Sequence, residues 1–86
     1  THIAVALKYE EGKSEAPMVV AKGSESIALK IKEIAKENNI PIIENKPLAR
    51  LIYEEVEIDS DIPANMYQAV AEILVIVFKL SKKRIK

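Results

Sequence analysis

Apolar and polar positions fall into blocks along this chain, and each block predicts one element. Ile3-Ala4-Val5-Ala6-Leu7 is short, apolar and partly β-branched, which predicts a buried strand running to about Tyr9. Residues 10–15 are charged and contain Gly12, so they predict a loop, which Pro17 ends. Met18-Val19-Val20-Ala21-Lys22 is a second strand, and the two strands with their loop predict an antiparallel hairpin. Gly23 breaks that strand, and Ser24 or Ser26 is suited to accept a free N–H at the start of a helix reaching about Asn38. Within it Ile27, Ile31, Ile34 and Ala35 share one face at the 3.6 period, while Lys32, Glu33, Lys36 and Glu37 face water. Asn38-Asn39 is a suitable stop, because Asn tolerates the left-handed conformation.

Ile40-Pro41-Ile42-Ile43-Glu44 predicts a third strand, with Pro41 at its start where a missing N–H costs least. Strand, helix, strand over this length predicts parallel pairing with the second strand through a right-handed crossover. Asn45-Lys46-Pro47 opens a second helix whose buried stripe is Leu48, Leu51 and Ile52. Val56-Glu57-Ile58 is a short fourth strand, followed by a turn at Asp59-Ser60-Asp61. Pro63 starts the last helix, running to about Lys82. Met66, Val70, Ile73, Val77 and Leu80 line one face of it, widened by Tyr67, Leu74 and Phe78. So broad an apolar sector must be covered by the sheet or leave a flank exposed as a contact patch. The predicted fold class is α/β: a small mixed β-sheet of three to four strands packed by about three helices, in the order β-β-α-β-α-(β)-α.

Composition narrows this further. Eighty-six residues allow a single domain, residues 1–86, and with three Tyr and one Phe its core must be aliphatic. A formal net charge of zero argues against nucleic acid as a partner, which needs a basic excess to displace counterions. The exception is the basic tail, residues 81–86, with Lys82-Lys83-Arg84-Ile85-Lys86: a solvated end, or a contact for an anionic membrane surface. The absence of Cys excludes disulfides, thiolate metal sites and a Cys nucleophile. The longest unbroken apolar run, residues 73–78, is far short of the roughly 20 residues that span a bilayer, so taken alone the chain is expected to be soluble. Thr1 stands where an initiating Met would be and leads straight into a strand pattern, so the sequence is expected to be cut or trimmed from something longer.

Little catalytic chemistry is on view. His2 is the single imidazole, with Thr1 as its adjacent hydroxyl, and it reads first as a structural His. The serines have capping or turn explanations, and Gly12 and Gly23 are too far apart to cradle a phosphate. Asp59 and Asp61 are spaced like part of a calcium loop whose remainder is missing. No cofactor and no metal site is expected; the residues leave a binding or scaffold module.

Four segments carry a resemblance. Thr1-His2-Ile3-Ala4-Val5-Ala6-Leu7-Lys8-Tyr9 resembles a T-H-x-A-V-A-L-x-Y stretch, and Ala16-Pro17-Met18-Val19-Val20-Ala21-Lys22-Gly23 is similar to A-P-x-V-x-A-K-G. Pro47-Leu48-Ala49-Arg50-Leu51-Ile52-Tyr53 resembles P-L-A-R-x-L-Y, and Ile62-Pro63, Tyr67, Ala69-Val70-Ala71-Glu72 and Leu74 resemble I-P-x-x-x-Y-x-A-V-A-E-x-L. These blocks, in order from Thr1 to about Leu80, resemble the C-terminal cytoplasmic domain of the FlhB/YscU/SpaS family of type III secretion export-apparatus switch proteins, flagellar or injectisome.

The resemblance implies a docking and substrate-specificity-switch module rather than a turnover enzyme. In the family Thr1 and His2 would complete an Asn-Pro-Thr-His motif that cleaves itself once, between Asn and Pro. Thr1 and His2 are then the remnant of the catalytic motif, with the Asn nucleophile outside this chain. A cargo-binding patch is implied at Ala16, Pro17, Ala71 and Leu74. Implied partners are the upstream N-terminal fragment of the same parent, export cargo proteins, a ruler protein and other export-apparatus cytoplasmic domains. The membrane is reached through the parent's transmembrane part, which places the domain at the cytoplasmic face of the bacterial inner membrane. The alternative is a stand-alone soluble adaptor of the same fold, without cleavage.

Overall fold

A computed structural model describes residues 2–10, 12–13 and 16–85. Strands β1 (Ile3–Lys8) and β2 (Met18–Ser24) form the antiparallel hairpin, and helices α1 (Glu25–Glu37), α2 (Lys46–Glu55) and α3 (Tyr67–Ile85) follow. The fold class is α/β with three helices, as the sequence predicts; the sheet is smaller.

The hairpin register runs from Ile3 opposite Ser24 to Lys8 opposite Met18. It shifts between Ala6, opposite Ala21, and Leu7, opposite Val19, which leaves Val20 as the extra residue of a bulge. The connecting loop turns at Gly12, whose φ of 83° suits a residue without a Cβ. Beyond β2 lies a third segment. Asp59 N–H donates to Val19 C=O at 2.7 Å, Val19 N–H to Ser60 C=O at 2.9 Å, and Ile62 N–H to Pro17 C=O at 2.8 Å. Met18 and Asp61 thus form an antiparallel bridge. The expected strand at 56–58 and turn at 59–61 are therefore displaced by a few residues. The turn comes first, closed by Ser60 N–H on Glu57 C=O at 3.2 Å with Asp59 at φ 70°, and pairing follows.

The expected third strand at 40–44 carries no strand pairing: the regular sheet is the two-stranded hairpin. Pro41 has no N–H to offer a ladder, and Ile40 spends its own N–H on Ala35 C=O, 2.9 Å away, finishing α1. Ile40 and Ile42 stay exposed.

α1 keeps part of the predicted face: Ile31 and Ala35 are half-buried, but Ile27 and Ile34 are exposed and Lys32, expected in water, is half-buried. Ser24 occupies the cap position, yet its hydroxyl makes no capping bond. Glu25 N–H continues the hairpin ladder instead, donating to His2 C=O at 2.8 Å from a left-handed φ of 52°. The helix thereby starts turned so that Ala28 is completely buried while Ile27 is 60% and Ile34 45% exposed. Ala28 lets the helix lie close over the hairpin face that carries Ala4, which is also buried. A Cβ on Gly23 would come within 2.2 Å of Ile27 Cγ2 and 2.8 Å of Ile27 Cβ. Rotating Ile27 cannot move its own Cβ, so the backbone must shift. Gly23→Ala is expected to cost about 1–2 kcal/mol in chemical unfolding. A variant as stable as the parent would show that the strand-to-helix junction yields freely.

α2 is capped by Asn45, whose Oδ1 accepts from Leu48 N–H at 3.2 Å, with Pro47 in its first turn. Pro63 then leads into a short 3-10 turn, Ala64–Met66, so α3 begins four residues later than Pro63. The other face of the hairpin, α2 and the first turns of α3 enclose the core: Val19, Ile52, Val56, Ile62, Met66 and Val70. Val5, Leu7, Leu48 and Leu74 pack against it from the side. The core is aliphatic, as the scarcity of aromatics requires.

Candidate functional site

The residues singled out in the sequence occupy two places. His2 is exposed, immediately before β1, and its carbonyl is held by Glu25 N–H. Thr1 lies outside the described residues. Ala16 and Pro17 are buried just before β2, at the opposite end of the hairpin. At about 3.3 Å per strand residue, the hairpin keeps His2 and the Ala16-Pro17 corner on the order of 20 Å apart.

Ala71 and Leu74 lie on α3. Ala71 is exposed, and Leu74 is half-buried against the core. The four patch positions therefore differ in role. Ala16 and Pro17 form the buried support, through which Pro17 C=O fixes Ile62; Ala71 and the outer side of Leu74 are what a partner can touch. Tyr67, Val75 and Phe78 share that flank, at i, i+8 and i+11 from Tyr67, with exposures of 46%, 50% and 47%. The sequence placed Tyr67, Leu74 and Phe78 on a widened apolar face, to be covered by the sheet or left exposed as a contact patch. The two-stranded sheet leaves Tyr67 and Phe78 exposed, while Leu74 packs half-buried against the core.

Lys22 is a residue that the reading of motifs left without a role. It pairs with Val5 in the hairpin and so shares the core-facing side. Its Nζ donates to Tyr53 C=O at 3.0 Å and to Val56 C=O at 2.7 Å. These carbonyls end α2 and have no acceptor role within the helix, and the helix dipole favours a cation there. The ammonium also stands 5.6 Å from the centre of the Tyr53 ring. The four motif blocks thus meet one another. The first pairs with the second across the hairpin, the second grips the third through Lys22, and it holds the fourth through Pro17 and Ile62.

β1 is paired by β2 along one edge, and among the described residues its other edge has no strand partner. A shallow cleft of about 180 Å³, lined by Ile3, Lys46, Ala49 and Arg50, opens there. Among the described residues, no three His, Cys, Asp or Glu side chains gather as metal ligands would.

A sequence profile described as the FlhB HrpN YscU SpaS Family matches residues 1–77. The chain belongs to this family. It is 51% identical over 83 residues to the flagellar biosynthetic protein FlhB of Bacillus subtilis, covering 96% of this chain and 23% of that protein. Against the flagellar biosynthetic protein FlhB of Escherichia coli it is 51% identical over 85 residues, covering 99% of this chain and 22% of the other. The chain therefore spans under a quarter of the length of these relatives. The crystal structure of the cytoplasmic domain of FlhB from Shewanella putrefaciens superposes with a TM-score of 0.89 at 44% identity, over 95% of this chain and 67% of that one. The fold is that of a family cytoplasmic domain, and the blocks that carry the resemblance are those that hold the fold together.

Proposed function

We propose that this chain is a cytoplasmic docking and specificity-switch module of a type III protein export apparatus, the C-terminal part of a parent that cleaves itself at Asn-Pro-Thr-His. The observation that carries this is the agreement, in sequence over residues 1–77 and in fold, with FlhB and its cytoplasmic domain.

In the parent, the side-chain amide nitrogen of an Asn two residues before Thr1 attacks that residue's own carbonyl carbon. A succinimide forms, the bond to Pro breaks, and the Pro nitrogen takes up a proton as the new amino terminus. A tight turn that holds these atoms near attack distance speeds such a step. His2 positions the turn: its carbonyl is anchored by Glu25 N–H, while its ring is free to reach the reacting peptide. The event occurs once per molecule and is not turnover. The open edge of β1 supports retention of the upstream fragment as an added strand after cleavage, with its N–H and C=O groups taken up by the edge.

The cargo site is the α3 flank at Ala71 and Leu74, braced by Ala16 and Pro17. It would admit a short apolar segment of an export cargo, and a ruler protein and neighbouring apparatus domains would act by changing access to it. Binding is weak, because a switch must release what it holds.

Two measurements test this reading. N-terminal sequencing of the native chain from cells is expected to give Pro-Thr-His, with a separate partner ending in Asn. A start at Met instead would remove cleavage and leave a stand-alone adaptor. Titration of early cargo onto the Ala71→Asp variant is expected to show a loss of affinity of about tenfold or more, since a buried carboxylate at the contact is penalised. Unchanged cargo affinity in a folded variant would remove Ala71 from the site.

A further inference from the structure

Three described residues other than Gly adopt a positive φ: Glu25 at 52°, Asn39 at 57° and Asp59 at 70°. Asn and Asp enter the left-handed region readily, because a short polar side chain can bond the local backbone. Glu has no such advantage, and the side chain of Glu25 is exposed, so side-chain packing does not explain the conformation. The main chain around it does. Ile3 stands opposite Ser24 at the end of the hairpin ladder, and Glu25 N–H adds one more bond by donating to His2 C=O at 2.8 Å. From the same residue the chain turns into α1, whose Ala28 is completely buried and whose Ile27 lies against Gly23. A left-handed residue serves both ends: its N–H stays in the strand ladder while the chain after it leaves as a helix.

We propose that Glu25 is a positioning residue for the self-cleavage, acting through His2: its left-handed main chain clamps the His2 carbonyl and so fixes the backbone leading out of the turn in which the Asn–Pro bond breaks. This rests on the cleavage reading above. In that step the Asn side-chain nitrogen bonds to its own carbonyl carbon and the bond from that carbon to the Pro nitrogen breaks. The proton released by the amide ends on the Pro nitrogen. The reacting atoms belong to one chain segment, so the rate depends on how narrowly the flanking backbone confines them. His2 is the described residue nearest that turn, and its carbonyl is tied to the second strand by Glu25. A residue held in a sparsely populated conformation beside a reacting bond is a recurring form of pre-organisation.

The test is the rate at which the full-length parent cleaves after synthesis, followed as the ratio of intact to cleaved chain on gels. Glu25→Gly keeps the N–H and favours positive φ, so it is expected to cleave within about twofold of the parent rate. Glu25→Val keeps the N–H but disfavours positive φ, and Glu25→Pro removes the N–H and fixes φ near about −65°. Both are expected to slow cleavage, Glu25→Pro by about tenfold or more. A helix tolerates Pro in its first turn, and resistance to proteolysis checks that each variant folds. If Glu25→Pro does not fold, Glu25→Val against Glu25→Gly decides. Ile62→Ala separates positioning from stability: it weakens the core at the far end of the hairpin and is expected to leave the rate within about twofold. Cleavage of Glu25→Pro and Glu25→Val at the parent rate overturns the proposal and leaves the cleavage reading standing. Equal slowing by Ile62→Ala and Glu25→Pro also overturns it, as does slowing by Glu25→Gly as great as that by Glu25→Val. A parent that does not cleave with Glu25 intact overturns the cleavage reading and the proposal with it.

Discussion

Ile62→Ala should lower the unfolding free energy by about 3 kcal/mol, because truncating a buried aliphatic side chain loses its transfer energy and leaves a cavity. Ile62 is 1% exposed and belongs to the core cluster with Val19, Met66 and Val70. Its backbone also closes the third segment on the hairpin, donating to Pro17 C=O. Loss of side-chain anchorage therefore loosens a backbone pairing as well. For a domain of this size the midpoint should fall by about 4–8 °C per kcal/mol, so thermal unfolding reads the effect directly. The comparison is Ile58→Ala, a residue 47% exposed one turn earlier, which should stay within about 0.5 kcal/mol of the parent. Equal losses at both positions would show that the core does not extend to the 59–62 segment.

Lys22→Met is expected to cost about 2 kcal/mol, since hydrogen bonds to a charged group contribute more than neutral ones. Met keeps much of the aliphatic stem and removes the ammonium, so the change isolates the two bonds to Tyr53 C=O and Val56 C=O. Tyr53→Leu should cost less than Lys22→Met, because the carbonyl acceptor survives and only the ring contact at 5.6 Å is lost. Chemical denaturation of the pair decides it. If Lys22→Met leaves stability unchanged, water replaces the ammonium at the end of α2, and the second and third blocks are held by apolar packing alone.

Much of the architecture was legible because it depends on local rules. The hairpin, Gly12 in its loop, the Asn45 cap, Pro47 in the first turn of α2 and the left-handed Asn39 after α1 all follow from backbone preferences of single residues. What failed depends on tertiary competition. Two of the four residues on the expected face of α1, Ile27 and Ile34, are exposed because the starting rotation is set by Glu25 N–H joining the strand ladder and by the close approach at Gly23, and neither shows in helical periodicity. The segment at 40–44 has strand composition yet no strand pairing, because composition cannot say whether a neighbouring edge is available. At the candidate site, resemblance supplied the positions Ala16, Pro17, Ala71 and Leu74. That the first two are buried and Ala71 exposed depends on how the 59–62 segment closes over β2. Lys22 was invisible as a fastener because its acceptors are main-chain atoms, which no residue pattern records.

The half-attached α3 has a further consequence. Val75, Ile76, Val77 and Phe78 are β-branched or aromatic and are among the weaker helix formers. In most proteins such residues are held helical by burial, yet here the body covers little past Leu74. The turns just past Leu74 therefore rely on intrinsic propensity more than on tertiary contact, and their amide hydrogens should exchange by local opening well before those of the core.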